Sequence, residues 1–365
     1  MNSKYIVSPG DSILVTGSSG FIGAKVVQVL LALGFTRIRC LVRASSQLSR
    51  LQAVLTKFDL RKNVELVTGD LLSRRDCHKA VKGVSLIYHL AAGMEKSFAG
   101  TFMNSALGTR NLLDAFLEFG LPKRVVNVSS FAVYSNLKLK RGALLDETCP
   151  LEDAPQERFD AYAFGKLKQE EMVKEYGRHH GVPYVILRPG YVFGPDKQAL
   201  SGRVGINTFG FFVQVSGSNV LPMTFVENCA EAIVLAGLRP GIEGEVFNIV
   251  DDELLNGRQF LRAYNRVKPF RSVHVPYSLA YAVCSLWERY SKWSKNQLPP
   301  AFNRRRCAAD WKPMHYSNQK LRERLGWKPR VSLNQAMQAF LGQFETNGKS
   351  EGKQTEDKGE DCRRS

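Results

Sequence analysis

Tyr162 and Lys166 stand four residues apart in "DAYAFGK", residues 160–166. On a helix this spacing stacks the two side chains on one face. A lysine ammonium beside a phenol favours the phenolate, so the pair could move a proton. The same spacing also describes an ordinary pair on a solvated helix, and Tyr-x-x-x-Lys alone does not choose between them. A second feature is "TGSSGFIG", which sets Gly17, Gly20 and Gly23 between an apolar run and a helical pattern. Glycines let the chain turn tightly and let backbone amides approach a pyrophosphate, and a helix N-terminus adds partial positive charge. The spacing is G-x-x-G-x-x-G, and the strand-before, helix-after context points to a nucleotide. In "CLVRASS", Arg43 follows the second apolar run, where an acidic residue would favour the free ribose hydroxyls of NAD. An arginine there suits a 2′-phosphate and favours NADP; the alternative is that Arg43 stacks on adenine or faces water.

These residues need a scaffold, and the first half of the chain supplies its pattern. "SILVTG" (Ser12–Gly17), "RIRCLVR" (Arg37–Arg43), "NVELVTGD" (Asn63–Asp70), "SLIYHLAA" (Ser85–Ala92), "RVVNVSS" (Arg124–Ser130) and "PYVILRP" (Pro183–Pro189) read as strands. Helical stretches lie between them: one after the glycine turn, then others near Ser73–Lys82, Asn104–Phe119 and Phe159–His180. Apolar strands alternating with helices predict an α/β fold with a parallel sheet covered on both faces. After Gly194 the alternation fades. A strand end leads into a helix in "FVENCAEAIVLAGL", "EVFNIV" reads as a strand, and Ser278–Trp293 and Leu333–Phe344 read as helices. We expect a sheet domain over about 11–195, a smaller lobe over about 196–345 with some segments returning to the sheet, and a polar, disordered tail over 346–365.

The 365 residues are 44% hydrophobic and 23% charged, as in ordinary globular proteins. The N-terminus has no basic start followed by an apolar core, and no apolar run approaches a membrane span. The seven cysteines are scattered, without Cys-x-x-Cys. That argues for a reducing, cytoplasmic setting and against a structural metal. Net charge is +17, and the segment Asn256–Arg330 alone holds 17 Lys and Arg against 3 Asp and Glu. A solvated surface accounts for such charge. So would an anionic small-molecule substrate or an acidic membrane surface. No nucleic-acid motif accompanies it.

Further pieces line up in order: "GDL" (Gly69–Leu71), "HLAA" (His89–Ala92), "VSSFAVY" (Val128–Tyr134), the Tyr162/Lys166 pair, "LRPGYVFGP", "TFVENCAEA" and "LRERLGWKP". The series resembles the extended short-chain dehydrogenase/reductases, in the NAD-dependent epimerase/dehydratase branch, over about residues 11–345. The resemblance implies a Rossmann-type doubly wound sheet with a C-terminal substrate-binding lobe. It implies that Gly17, Ser19, Gly20, Phe21, Ile22 and Gly23 cradle the pyrophosphate and that Asp70 and Leu71 meet the adenine. Arg43, Leu90, Ala91, Ala92 and Pro189 would also line the cofactor. Ser130 matches the catalytic serine, Tyr162 the acid/base and Lys166 its partner, the last two also touching cofactor. A free tyrosine titrates near 10; Lys166 and the positive nicotinamide are expected to bring Tyr162 toward the working range. His89 is expected to be a packed strand-end residue. Relatives often pair as homodimers through the helices near 104–119 and 159–180.

Some residues depart from the sugar-nucleotide epimerase pattern. Ser105 holds a place usually taken by Asn, and Tyr191 stands where galactose-type epimerases offer an asparagine to substrate. In "HVPYSLAYAVCSLWERYSKW", Leu279, Val283, Leu286, Tyr290 and Trp293 recur at helical spacing. The helix is expected to pack on the small lobe; a lid over an apolar substrate or a membrane-surface helix is the alternative. The leading functional expectation is an epimerase, dehydratase or reductase of a nucleotide-linked sugar. A hydroxysteroid-dehydrogenase-like or dihydroflavonol-reductase-like enzyme of a hydrophobic alcohol is the second. A non-catalytic, cofactor-binding regulator is the third.

Overall fold

The computed structural model describes residues 5–58, 63–197, 200, 202–208, 210–295 and 297–344. The tail over 346–365 lies outside them. Seven strands form one sheet: β1 (Ile13–Thr16), β2 (Ile38–Val42), β3 (Val64–Thr68), β4 (Leu86–His89), β5 (Arg124–Val128), β6 (Tyr184–Pro189) and β7 (Val246–Ile249). Their order is β7-β6-β5-β4-β1-β2-β3, and every neighbouring pair is parallel. Every strand named from the apolar runs is present, and the fold is the expected Rossmann-like α/β sheet.

Both faces of the six strands other than edge strand β3 are covered, which is why they lack polar alternation. Ile13 and Val15 of β1 pack into one apolar layer and Leu14 into the other. The first layer is built with α1 (Phe21–Ala32), α2 (Ser49–Phe58) and, from the C-terminal half, Val226–Leu238. The second is built with α3 (Arg74–Val81) and with helices that run from Phe98 and from Ala161. The former of these begins as α4 (Phe98–Thr101), passes through a π-helical turn at Phe102–Leu107 and continues as α5 (Gly108–Phe119). The latter is α6 (Ala161–His180). Gly165 lets α6 cross that π-helical turn: a Cβ there would meet Thr101 Cγ2 at 2.2 Å. Strand order reverses between β1 and β4, and ligands of such sheets bind in the crevice outside the strand ends at that point.

The C-terminal half contributes α7 (Val226–Leu238) and β7 to the sheet layers. It also builds a three-stranded sheet of Gly205–Thr208, Phe211–Gln214 and Ser272–His274, with α8 (Gly257–Val267), α9 (Tyr277–Trp293), α10 (Arg304–Trp311) and α11 (Gln319–Leu325). The helix α9 packs on the lobe, as expected, but its apolar stripe does not make the contact. Leu279, Val283, Leu286, Tyr290 and Trp293 are all exposed, and the helix buries Ala280, Cys284 and Ser291 instead. Small side chains allow α9 to lie close against α10 and the three-stranded sheet, where Cys307, Trp311 and Val215 complete that core.

Candidate active site

The glycine turn is shaped for close approach. Gly17 takes φ +69°, and a Cβ on it would sit 2.9 Å from the Ala91 backbone nitrogen. A Cβ on Gly23 would sit 2.1 Å from the Gly17 carbonyl oxygen, so α1 can start this near the turn only with glycine there. Gly20 caps α1 without a side-chain hydrogen bond, and no acidic residue lies in the first turn. The N-terminal amides of α1 are thus left for an anion, and these residues fit a dinucleotide pyrophosphate.

Two clefts meet at this turn. One is lined by Gly17, Ser19, Gly20, Arg43, Ser46, Asp70, Leu71, Leu90, Ala91, Ala92 and Asn104. The other is lined by Gly17, Gly20, Phe21, Ile22, Gly23, Leu90, Ala92, Ser130, Tyr162, Lys166, Pro189 and Tyr191. The residues expected to act on or hold substrate and cofactor therefore all border one or both. In the first cleft Arg43 is exposed and makes no ion pair among the described residues. The Asp70 carboxylate accepts from the Leu72 amide at 2.8 Å and shapes its own loop.

Ser130, Tyr162 and Lys166 are gathered by β5 and α6. Asp160 caps α6 by accepting from the Ala163 amide at 3.0 Å. Arg158, 1% exposed, pairs with Asp160 at 3.0 Å and donates to the Ala132 carbonyl at 2.7 Å. It thereby ties the start of α6 to the loop carrying Ser130. Ser130 and Tyr162 line the same cleft with Lys166, and Ser130 Oγ accepts from the Ala132 amide at 3.1 Å. Lys166 is buried; its Nζ donates to the Val128 carbonyl at 2.6 Å and to Gln169 Oε1 at 2.9 Å.

The electrostatics of the chain itself are governed by burial. Burial raises the Tyr162 phenol above its ordinary value, against a lowering by the Ser130 side chain; Asp160 adds to the rise. Burial also pushes Lys166 down to about 7, opposed by the Glu170 carboxylate. Desolvation sets the direction for the phenol, and the Lys166 ammonium is turned to Val128 and Gln169.

His89 is a packed residue, as expected. It is 1% exposed, with Thr16 Oγ1 2.7 Å from Nδ1 and Thr109 Oγ1 2.8 Å from Nε2. Burial, then the Lys166 charge, pushes it down to about 3, so the ring is neutral. Ser105 accepts from the Gly93 amide at 2.9 Å, while its neighbour Asn104 donates to Glu95 at 2.7 Å. Tyr191 borders the cleft but is 7% exposed, stacked with Phe193 and edge-on to Phe260.

Sequence reasoning missed several cleft residues. Lys197 donates to the Val192 carbonyl at 2.7 Å and lies over the rings of Phe21 and Tyr191. Burial lowers its pKa. Arg50, Arg203 and Arg306 border the same cleft, with Arg306 3.7 Å from Asp310. Of these, only Arg306 falls in the basic segment noticed in the sequence. Much of that segment's charge is paired elsewhere: Arg305 with Glu152 and Asp153, Arg304 with Glu288, and Lys320 and Arg324 with Glu245. Among the described residues no group of three His, Cys, Asp or Glu side chains could hold a metal ion.

Comparison with known proteins agrees with this geometry. The chain is 25% identical over 359 residues to the mouse (Mus musculus) "Sterol-4-alpha-carboxylate 3-dehydrogenase, decarboxylating", covering 93% of this chain and 92% of that one. It is 28% identical over 354 residues to a "3-beta-hydroxysteroid dehydrogenase" of Mycolicibacterium neoaurum, covering 90% of each. A solved structure named gox2253 superposes with a TM-score of 0.73 at 25% identity, over 93% of this chain and 99% of that chain. Residues 13–249 match the NAD dependent epimerase/dehydratase family, and the chain belongs to that family of NAD(P)-dependent enzymes.

Proposed function

We propose that the chain moves a hydride at the hydroxyl-bearing carbon of an amphiphilic alcohol that also carries a carboxylate or phosphate, with Ser130, Tyr162 and Lys166 as the reacting set. The observation that carries this reading is that Ser130, Tyr162 and buried Lys166 line one cleft together with the glycine turn. The opposite wall supports the substrate class. Phe21, Ile22, Met94 and Val192 offer apolar surface, and Lys197, Arg203 and Arg306 offer positive charge. A sterol carboxylate dehydrogenase and a hydroxysteroid dehydrogenase among the relatives agree with an apolar alcohol.

Bound NAD(P) supplies the hydride acceptor or donor and, when oxidised, a positive ring. Gly17, Gly20 and Gly23 hold its pyrophosphate, and Arg43 selects a 2′-phosphate, hence NADP over NAD. The Ser130 hydroxyl orients the substrate oxygen, and Tyr162 gives or takes the proton on that oxygen. Lys166 helps to hold the cofactor ribose and adds charge beside the phenol. A nucleotide-linked sugar is the second reading, because the same cations suit a diphosphate.

A thermal-shift series separates the two. A carboxylated sterol or lipid alcohol should raise the melting temperature of the NADP-loaded protein, and UDP or GDP should not. The same compound should drive net formation of reduced nicotinamide, read by its absorbance. A shift with UDP or GDP and none with the lipid alcohols would move the assignment to the sugar nucleotide. Turnover without accumulation of reduced cofactor would make the enzyme an epimerase.

A further inference from the structure

α9 turns its largest apolar side chains to solvent. Leu279 is 55% exposed, Val283 54%, Leu286 64%, Tyr290 48% and Trp293 79%. At about 100° per residue, these positions fall within an arc of about 80° on the helix. The surface continues through Leu298, 42% exposed, and Phe302, 43% exposed. Trp287 joins the two parts, with its ring 6.3 Å from Phe302 and 6.4 Å from Tyr290. A contiguous apolar stripe of this kind on a folded surface marks an interaction site.

We propose that α9 docks on an anionic lipid surface, lying in the headgroup plane with the stripe turned into the acyl boundary. Charge selects this occupant. Residues 256–304 contain nine Lys and Arg against one acid, Glu288. Arg289 flanks the stripe, and Lys292, Lys295, Lys268 and Arg271 are all exposed. An anionic headgroup layer complements that field, and Tyr and Trp at the end of the stripe suit the interface. A second copy fits less well, because a two-fold contact would set the same cation-rich face against itself. Residues 345–365 include no Leu, Ile, Val, Met or aromatic residue and offer no apolar match to the stripe. The helix lies on the surface and does not cross it. Its 17 residues span about 26 Å. Among the described residues no helix is long and apolar enough to cross a membrane. α10, packed on α9, carries Arg306 and Asp310 to the cleft, so the docking face adjoins the wall of the active site. The docking stands whether or not the substrate is lipophilic.

Sedimentation of the full chain with vesicles tests it. Vesicles of equal phosphatidylglycerol and phosphatidylcholine should carry the protein down at low salt, and phosphatidylcholine alone should carry at least tenfold less. Leu286→Asp and, separately, Trp293→Gln should each weaken binding at least fivefold, with melting unchanged because both side chains are exposed. Failure of the parent chain to bind the anionic vesicles overturns the proposal. So does equal binding by both variants. A concentration-dependent dimer that Leu286→Asp abolishes also overturns it and assigns the stripe to a second copy.

Discussion

Gln169 Oε1 accepts from Lys166 Nζ at 2.9 Å, three residues along α6, and so sets where the buried ammonium points. The amide nitrogen of Gln169 reaches onward to the Ala91 carbonyl at 3.1 Å and to His89 Nε2 at 2.9 Å. His89 in turn meets Thr16, the residue before the glycine turn. One glutamine thus connects the proton-transfer side of the site to the cofactor side. Burial holds Lys166 at about 7. A carboxylate in place of the amide would favour the ammonium. Gln169→Glu should therefore move the Lys166 titration, followed by NMR of its side chain, toward higher pH. An unmoved titration would remove Gln169 from control of Lys166.

Tyr162 and Ser130 line the same cleft but have separable roles. Removing the phenol oxygen removes the proton carrier, so Tyr162→Phe should cost about 10²–10⁴ in kcat, the range of general acid–base catalysis. Ser130→Ala removes one donor to the substrate oxygen and should cost about 10²–10³. Cofactor affinity, measured by fluorescence of the reduced nicotinamide, should stay within a few-fold in Tyr162→Phe. The raised phenol also gives a sign. Alcohol oxidation needs Tyr162 deprotonated and should accelerate as pH rises above neutrality; carbonyl reduction should slow. Activity retained in Tyr162→Phe would take the residue out of the mechanism.

Arg43 is exposed beside Ser46 in the cleft that continues from the glycine turn. A guanidinium and a hydroxyl suit a phosphate, whereas a carboxylate suits a ribose diol. Arg43→Asp should weaken NADP at least tenfold and spare or improve NAD, as read by the ratio of kcat/KM for the two. An unchanged ratio would mean that Arg43 stacks on adenine or faces water.

The sheet was legible because each buried strand carries its own apolar run, and the glycine turn because only glycine tolerates contacts as near as 2.1 Å. Tyr162 and Lys166 were legible through their helical spacing and their place after the fifth strand. The orientation of α9 was not. Periodicity reveals a stripe without saying which way it faces, and Ala280, Cys284 and Ser291 give little hint that they form the packed side. The cleft cations were equally hidden. Charge counts drew attention to residues 256–330, yet Arg305 spends its charge on Glu152 and Asp153, about 150 positions earlier in the chain. Lys197 and Arg203 come from outside the basic segment. Which cations are paired depends on long-range folding that local composition does not encode. Desolvation, which raises the Tyr162 phenol, is equally non-local.

Beneath the reacting residues, Glu170 and Arg188 form a two-point ion pair, with Nε to Oε1 at 2.9 Å and Nη2 to Oε2 at 2.7 Å. Both are almost fully buried, and Arg188 also donates to the Tyr134 hydroxyl at 3.0 Å. Burial alone would raise Glu170, but hydrogen bonds and charge from Arg188 bring it below its ordinary value. A carboxyl depressed on folding contributes stability that is present above its unfolded value of 4.5 and is lost as pH falls through the folded value. Glu170→Gln strands the Arg188 guanidinium and should cost about 3–5 kcal/mol in urea unfolding at pH 7, with a smaller difference near pH 3. Lys174, 3.3 Å from Glu170, loses the same partner but is part-exposed and can be solvated, so the stranded charge is that of Arg188. Replacing both residues, as Glu170→Gln with Arg188→Met, removes the stranded charge and should recover much of the loss. If the double variant is as unstable as Glu170→Gln alone, the cost lies in packing at position 170 and not in an uncompensated charge.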